Sequence, residues 1–561
     1  MKHKNLASMH RSVSEKFGPR VALRHKRHGR YEDISFTDYR RQADLIAAGL
    51  IALGIQPGDH VAILSENRYE WLITDIGILS SGAADVPMHA PLSAKQVEYQ
   101  LGHSDSRGVF VSNQGQADKV LAVLEQLPKL EFIVSFDPIK VDGRIKQLTW
   151  QRLKQLGHQQ GPEGQAEVRR REANLDPESL ATIIYTSGTT GNPKGVMLTH
   201  RNFVTNAEAS VDALHAQPDD VLLSWLPYSH SYARMTDHYL AVLSGLTVCL
   251  AESMDTLLVN LAETQPTMMT AVPRFYEKVW SAVENLPPDI RAKQVHRIFG
   301  RRIRRLSSGG APLPAHVCKG FFEAGIPVLE GYGLTETSPI ISFNSIERYK
   351  VGTVGQKIDG VEVKIADDGE IITRGPHIMK GYWKEPQATA EAIKDGWFHT
   401  GDVGEIDEDG FLKITDRKKD LIITSGGKNI SPSELERLLV SDPYIDQAVT
   451  YGDARNFVTA LIVPNFPMLE NKAKEIGGSM QPADGFLDCP RIHRFLKERI
   501  DAVMQAVSNP ERVKEFVVLA RPFQLENDEL TATLKVRRRH VIQKFEDRLA
   551  ALYDGRHAEV D

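Results

Sequence analysis

Glycine, hydroxyl residues and one lysine are concentrated in the loop "TSGTTGNPKG", residues 186–195, between two apolar runs. The runs at 183–185 and 196–198 indicate a segment that leaves one buried strand and enters another. The glycines leave backbone amides open to a ligand, while Lys194 adds a mobile positive charge beside them. These residue types together predict a loop that binds polyphosphate, with a flexible ligand-free turn as the alternative.

The spacing in this loop differs from that of nucleotide kinases, in which two glycines separated by four residues are followed by Lys and Ser or Thr. A different class of phosphate loop is therefore indicated. The residues expected to contact phosphate are Thr186, Ser187, Gly188, Thr189, Thr190, Gly191 and Lys194.

Five further motifs follow in order along nearly the whole chain: "SSGGAP" at 307–312, "EGYGLTETSP" at 330–339, "HTGDVGEIDEDGF" at 399–411, "DRKKDLIITSGGKNISPSELE" at 416–436 and "ELTATLKVRRR" at 529–539. With the phosphate loop, they resemble the adenylate-forming (AMP-binding) superfamily. "DRKKDLI", "GGKNISP" and "TLK" resemble its long-chain fatty acyl-CoA synthetase branch. Leu534 stands where many members of the superfamily have glycine, and this departure also favours that branch.

The resemblance implies an ATP-dependent long-chain-fatty-acid–CoA ligase. Such an enzyme forms acyl-AMP with release of pyrophosphate, then transfers the acyl group to CoA to give acyl-CoA and AMP. One alternative is an adenylating enzyme that loads a separate carrier protein, and another is a nucleotide-binding protein of the same fold without turnover. Too few residues follow Lys535 for a fused carrier domain, which favours free CoA.

Residues for the first half-reaction are also implied by the resemblance. A carboxylate must attack a negatively charged α-phosphate, so both groups need to be neutralised. Lys535 matches the lysine that touches both of them, and Glu336 matches the residue that holds Mg²⁺ together with Thr186. Thr335 matches the α-phosphate contact. Without the motifs, Lys535 would be read as part of a solvated basic face and Glu336 as an acid at a helix start.

The nucleoside is expected to bind in a flat slot with a carboxylate for its diol. By resemblance, Asp402 accepts hydrogen bonds from the ribose hydroxyls with help from Arg417. A turn-capping aspartate is the alternative for Asp402. Gly309, Gly310 and Ala311 are expected to leave room for adenine, with Tyr332 available to stack on its face, and Gly333 is also expected to bind ATP.

The second half-reaction and the acyl site have weaker signatures. The resemblance implies that Lys419 is a hinge about which a small domain rotates, and that Gly426 and Gly427 let the CoA thiol arm pass close to the backbone. His230 and Tyr232 are expected to border the acyl pocket. A packed core histidine is the ordinary interpretation of His230.

Alternating strand and helix patterns predict an α/β fold with mainly parallel sheets. We expect a large multi-subdomain N-terminal domain over 1–418, with a smaller β-barrel-like subdomain where short antiparallel runs begin at 360. A small, mobile α+β domain is expected over 419–561. Residues 160–180 are polar and turn-rich, which predicts a surface connection.

Composition excludes several classes of protein. The 561 residues carry a net charge of −5 and three cysteines, which predicts free thiols, a reducing cytoplasmic compartment and no nucleic-acid partner. No apolar run is long enough to cross a membrane. Peripheral contact with the inner face of a membrane and the oligomeric state stay open. The arginine-rich run 297–306 is interpreted first as a solvated edge, with CoA or lipid headgroups as alternatives.

Overall fold

A computed structural model describes residues 1–141, 143–186, 192–418, 420–424, 429–524, 527–530 and 536–553, without the side chains of 212, 423 and 429. The chain divides into two compact units. Unit 1 comprises 1–364, 372–400 and 406–413, and unit 2 comprises 365–371, 401–405 and 414–561.

The first sheet of unit 1 has nine strands. Its central strands run parallel, and its outer pairs are antiparallel. Apolar residues at successive buried positions, such as those of "VLLS" and "TVCL", explain why these segments form interior strands. In spatial order the strands are Gln356–Lys357, Ile340–Phe343, Val328–Gly333, Arg305–Ser308, Met268–Ala271, Val221–Ser224, Thr247–Leu250, Val21–Arg27 and Arg30–Ser35.

The second sheet of unit 1 has eight strands and is also mainly parallel. Its antiparallel members are the hairpin that flanks the phosphate loop and the edge strand beside that hairpin. In spatial order the strands are Gly381–Tyr382, Lys194–Thr199, Leu180–Thr186, Ala84–Met88, His60–Leu64, Gly108–Val111, Phe132–Ser135 and Lys146–Thr149. The expected α/β class with mainly parallel sheets is confirmed.

Helices cover both sheets, as expected for strands connected by crossovers. The α-helices of unit 1 are Leu6–Phe17, Phe36–Ala52, Tyr69–Ser80, Ala94–His103, Gln114–Leu121, Trp150–Gln159, Gly161–Asn174, His200–Leu214, Ser231–Ala233, Ala241–Ser244, Leu257–Thr264, Pro273–Ser281, Pro288–Phe299, Ala315–Glu323 and Pro386–Ala392. A π-helical segment spans Arg234–Leu240, and single 3₁₀ turns span Leu124–Gln126 and Thr335–Thr337.

The prediction of a turn-rich connection over 160–180 is wrong, because most of this stretch is the helix Gly161–Asn174. Although the helix is mostly polar, two of its residues one helical turn apart, Val168 and Glu172, are buried. Val168 packs against the helix Phe36–Ala52, and the buried Glu172 accepts hydrogen bonds from Arg11 and Arg40. The buried ion pairs stabilise a helix that its local hydrophobicity did not indicate.

Short strands follow residue 360, as the alternating pattern predicted. Glu362–Ile365, Glu370–Arg374, Trp397–Ile406 and Leu412–Arg417 contribute residues to both units. Ile393–Lys394 pairs antiparallel with the start of Trp397–Ile406.

Unit 2 is an α+β structure with its own apolar core. Its three-stranded sheet consists of Ile445–Tyr451, Val458–Pro464 and Val513–Val518, and a two-stranded ribbon consists of Ile422–Ile423 and Asn429–Ile430. Its helices are Pro432–Val440, Phe466–Ile476, Pro490–Val503, Arg538–Lys544 and Glu546–Ala551, with 3₁₀ turns at Met504–Ala506 and Asn509–Glu511.

Within the described residues, no helix combines the length and the apolar character needed to cross a bilayer. The three cysteines, Cys249, Cys318 and Cys489, are free thiols, as predicted.

Candidate active site

The phosphate loop is held by a tight hairpin. Leu180–Thr186 and Lys194–Thr199 pair antiparallel, and the register places Thr186 directly opposite Lys194. Ile183 and Val196 are completely buried, so the apolar runs on each side of the loop anchor it in the second sheet. The two ends of the loop are therefore fixed close together.

Tyr382 connects this hairpin to Glu336. The edge strand Gly381–Tyr382 pairs with the strand that begins at Lys194, whose Nζ lies 4.9 Å from the centre of the Tyr382 ring. The Tyr382 hydroxyl donates a hydrogen bond to Glu336 Oε1 at 3.0 Å. Burial and the nearby Glu336 carboxylate raise the pKa of Tyr382, so the phenol keeps its proton at neutral pH.

Sequence reasoning missed Tyr382. The available signal was the aromatic pair "YW" in a stretch that is otherwise polar. Its register against the hairpin, which brings the ring to Lys194, is a tertiary property with no local signature.

Thr335 and Glu336 lie on a 3₁₀ turn just after the strand Val328–Gly333. Glu336 is held at its backbone as well, since its carbonyl accepts a hydrogen bond from Met379 N at 2.8 Å. Thr335 Oγ1 lies 3.1 Å from Ser231 Oγ, which follows His230. The residue predicted for the α-phosphate is thus in contact with the acyl segment, residues 225–239, which contains His230 and Tyr232.

Tyr232 of the acyl segment contacts the loop that contains Gly309, a residue predicted to leave room for adenine. Its hydroxyl donates to Ser307 Oγ at 3.3 Å, and its backbone N donates to His230 Nδ1 at 3.2 Å. A Cβ placed on Gly309 would lie 2.9 Å from the Tyr232 ring, so glycine allows this close approach. The ring fills the space beside Gly309 that a side chain would otherwise occupy.

The remaining predicted adenine residues have different environments. Gly310 and Ala311 are exposed, whereas Tyr332 is mostly buried and pairs with Ser342 across the sheet. A Cβ on Gly333 would overlap the Pro339 carbonyl oxygen, so the backbone there packs too closely for any other residue.

A completely buried ion cluster contacts Leu180–Thr186, the strand that leads into the phosphate loop. Arg234, in the π-helical segment, donates to Asp75 Oδ1 at 2.5 Å and to Asp85 Oδ1 at 2.8 Å, and all three side chains are inaccessible to solvent. Its Nη1 also donates to Thr182 Oγ1 at 2.8 Å, four residues before Thr186. Arg234 therefore joins the acyl segment to the strand that leads into the loop.

This cluster was also missed, although the sequence contains a signal for it. Asp75 and Asp85 are isolated acids within long apolar runs, and Arg234 follows an aromatic segment. Charges in such surroundings require partners, because an unpaired buried charge is very costly.

Asp402 and Arg417, the two residues predicted to bind the ribose, meet within unit 2. Arg417 Nε donates to Asp402 Oδ1 at 2.8 Å. The Asp402 side chain is 6% exposed and that of Arg417 is 53% exposed, so the carboxylate is held while much of the guanidinium faces solvent.

Nine predicted site residues lie outside the described residues: Ser187, Gly188, Thr189, Thr190, Gly191, Lys419, Gly426, Gly427 and Lys535.

The donor set of unit 1 fits Mg²⁺ delivered with ATP. Mg²⁺ takes oxygen ligands and is usually held by one or two carboxylates together with substrate phosphates. Glu336 would supply a carboxylate that is held by Tyr382, and Thr186 would supply a hydroxyl at the end of the strand that leads into the loop.

The chain belongs to the family of AMP-binding enzymes. The model of this family matches residues 10–383, and the model of the AMP-binding enzyme C-terminal domain matches 419–557. The superfamily that the sequence motifs indicated is confirmed.

Curated relatives extend over most of the chain. A protein of Mycobacterium bovis called long-chain-fatty-acid–CoA ligase FadD15 is 35% identical over 575 residues, which covers 94% of this chain and 93% of the relative. Long-chain-fatty-acid–CoA ligase ACSBG2 of Xenopus laevis is 28% identical and covers 96% of this chain and 82% of its own length.

Two solved structures illustrate the shared fold. The adenylation domain of a carboxylate reductase from Mycobacterium chelonae has a TM-score of 0.79 at 22% identity and covers 99% of this chain and 92% of that one. The anthranilate CoA ligase AuaEII in complex with anthranoyl-AMP has a TM-score of 0.78 at 20% identity and covers 98% of both chains.

Proposed function

We propose that this protein is an AMP-forming ligase that activates a long-chain fatty acid and transfers it to CoA. The observation that carries the proposal is the contact of Tyr382 with both Glu336 and Lys194, which joins the phosphate hairpin to the turn predicted to act at the α-phosphate. The identity of 35% to a long-chain-fatty-acid–CoA ligase over 94% of the chain supports the substrate class.

The first half-reaction joins the fatty carboxylate to the α-phosphorus of ATP and breaks the bond to pyrophosphate. In our proposal, Thr335 donates to the α-phosphate, while Lys194 and the loop 186–191 neutralise the outer phosphates. Tyr382 keeps the Glu336 carboxylate in place for Mg²⁺. Stabilising charge on the attacked phosphate and on the leaving pyrophosphate is the main requirement of such a step.

Asp402 and Arg417 are proposed to bind the ribose. A carboxylate held by a charged neighbour accepts two hydrogen bonds from a cis-diol, and the 2.8 Å contact with Arg417 fixes its orientation. Gly309, Gly310 and Ala311 are proposed to leave room for adenine, beside Tyr332 and Gly333.

We also propose a domain boundary between residues 418 and 419. It is supported by the two family models, because the first ends at residue 383 and the second begins at residue 419. We propose that the C-terminal domain presents Lys535 for adenylation, then turns about Lys419 so that the thiol of CoA passes Gly426 and Gly427. His230 and Tyr232 are proposed to border the acyl chain.

The protein is also proposed to act in the cytoplasm, with peripheral contact at the inner face of a membrane. A long-chain fatty acid is concentrated in bilayers because transferring each methylene out of water is favourable by about 0.8 kcal/mol. An enzyme that reaches this pool directly has more substrate available than one restricted to free acid in water.

The test is to incubate the protein with ATP, Mg²⁺ and a panel of fatty acids from octanoate to stearate, with and without CoA, and to follow nucleotides and acyl products by mass spectrometry. AMP and acyl-CoA are expected. Acyl-AMP that persists with CoA present would instead support loading of a carrier protein, and ADP would contradict adenylation.

Lys535→Ala separates the two half-reactions. Adenylation should be lost, while thioester formation from supplied acyl-AMP should continue, because the lysine is proposed to act on the first step alone. Loss of both half-reactions would contradict this assignment. Lys474→Ala, which removes an exposed lysine from the helix Phe466–Ile476 of unit 2, is the control and should retain both half-reactions.

A further inference from the structure

Large apolar side chains are exposed on one helix of unit 1, Leu257–Thr264, and on the turn that precedes it. Met254, Leu258 and Val259 are 58%, 59% and 53% exposed. The helix Leu257–Thr264 buries Leu257 and Leu261 in the core beneath it, so Leu258 and Val259 turn to solvent. Three such residues within six positions form an apolar patch, which is a common mark of an interaction surface.

The helix Pro288–Phe299 lies beside this one and continues the surface. Both helices bury residues in the same apolar cluster, so their exposed sides face outward together. Arg301 N donates to Gln265 Oε1 at 3.0 Å, which brings the C-terminal ends of the two helices together. On the exposed side of the helix Pro288–Phe299, Ile290, Lys293 and Arg297 recur at helical spacing.

The arginine run at 297–306 has two different roles in the structure. Arg304 and Arg305 pair with the buried Asp220 at 2.6 and 2.5 Å, so they stabilise the fold. Arg297, Arg301 and Arg302 are exposed, and they have no ion pair among the described residues.

The charge on this surface is positive overall. Lys293 adds a fourth exposed cation without an ion pair in the described part of the chain. Asp255 and Asp289 are the exposed acids near the apolar residues, whereas Glu252 and Glu263 are paired with Lys26. An apolar patch beside unpaired cations is complementary to an anionic lipid surface.

The apolar residues of this surface lie at the edge of the first sheet where its parallel strands have their carboxyl ends. Helix Leu257–Thr264 follows the carboxyl end of Thr247–Leu250, which runs parallel to Val221–Ser224 and to the strand ending at Ser308. Ser307 contacts Tyr232 of the acyl segment at that same edge. Ligands in open α/β sheets bind at the carboxyl ends of the strands.

We propose that this surface docks the protein on an anionic bilayer. The lipid-docking face consists of Met254, Leu258, Val259, Ile290, Lys293, Arg297, Arg301 and Arg302. The apolar residues enter the boundary between headgroups and acyl chains, and the cations contact lipid phosphates. The inference rests on the proposed function for its purpose, because docking brings the acyl segment to the bilayer that holds the fatty acid.

The experiment is co-sedimentation of the full chain with vesicles of phosphatidylcholine containing about one third phosphatidylglycerol, at low and high salt. The unmodified protein should bind, and high salt should weaken binding. Leu258→Asp and Arg301→Glu should each lower the partition coefficient roughly fivefold or more.

Two matched variants control for general effects of added charge. Ile346→Asp changes an apolar residue of similar exposure on the loop after Ile340–Phe343, and Arg169→Glu reverses an exposed arginine on Gly161–Asn174. Both should bind vesicles like the unmodified protein. Each variant should form AMP from octanoate without vesicles at the normal rate, which shows that it is folded.

The proposal is overturned if the protein does not bind vesicles at low salt, or if Leu258→Asp and Arg301→Glu bind as well as the controls. A higher KM for CoA in Arg301→Glu, with vesicle binding unchanged, would assign the arginines to nucleotide binding instead. Absence of AMP from every acid tested would contradict the ligase proposal, whereas vesicle binding is measured independently of turnover.

Discussion

The Tyr382 hydroxyl donates a hydrogen bond to Glu336 Oε1 at 3.0 Å, while the ring of the same tyrosine lies 4.9 Å from Lys194 Nζ. One side chain thus connects the carboxylate proposed to hold Mg²⁺ with the lysine proposed to bind the outer phosphates. Both groups are positioned by a residue outside the motifs that carry them.

Tyr382→Phe tests this connection. Removing a hydrogen bond to a charged group costs about 1.5–3 kcal/mol, so we expect kcat for adenylation to fall by about tenfold or more. The KM for fatty acid should change little, because Tyr382 is not placed in the acyl pocket. ATP–pyrophosphate exchange measures both. Tyr185→Phe, which removes a hydroxyl bonded to His103 from the same hairpin, is the control and should retain activity.

Arg234→Met should destabilise the fold strongly. It leaves Asp75 and Asp85 buried without their cation, which costs about 3–5 kcal/mol. The midpoint of urea unfolding measures the loss. Adding Asp85→Asn should recover part of it, because it removes a buried carboxylate that has lost its cation. Equal midpoints for Arg234→Met and the unmodified protein would contradict the buried pairing.

Glu330→Gln should change the pH dependence of stability. Burial raises the pKa of Glu330 from 4.5 to about 7, so folding favours its protonated form. The free energy of unfolding therefore falls as pH rises from about 4.5 to 7, by as much as about 3 kcal/mol, and the loss persists above pH 7. The neutral glutamine should be more stable than glutamate at pH 8, with a gap that narrows toward pH 5.

Urea unfolding at several pH values measures this gap. Glu323→Gln, which changes an exposed carboxylate on the neighbouring helix Ala315–Glu323, is the control and should show little difference at either pH. A gap that stays constant with pH would show that Glu330 does not titrate in this range.

Asp402→Asn should weaken ATP binding and reduce the preference for a ribonucleotide. The amide loses the charge that strengthens hydrogen bonds from the ribose hydroxyls, so the KM for ATP should rise about tenfold. The ratio of kcat/KM for ATP over 2′-deoxy-ATP should fall toward one. Asp368→Asn, which changes an exposed partner of Lys418, should leave that ratio unchanged. An unchanged ratio in Asp402→Asn would remove the ribose assignment.

Local sequence predicted the strands and the hairpin of the phosphate loop well. The apolar runs at 183–185 and 196–198 lie in the two paired strands of the hairpin, because most of their side chains are buried in the sheet. The helix Gly161–Asn174 was not predicted, because the burial of Glu172 depends on Arg11 and Arg40 from distant segments.

The sequence alone determined the superfamily, the α/β class and the positions of the motif residues, because phosphate chemistry requires particular residue types at close spacing. Tertiary structure alone decided which residues support them. Tyr382 reaches Glu336 through strand register, and Arg234 reaches Thr182 through packing. Such contacts join residues far apart in the chain, and their free energy comes from burial and pairing that no local pattern contains.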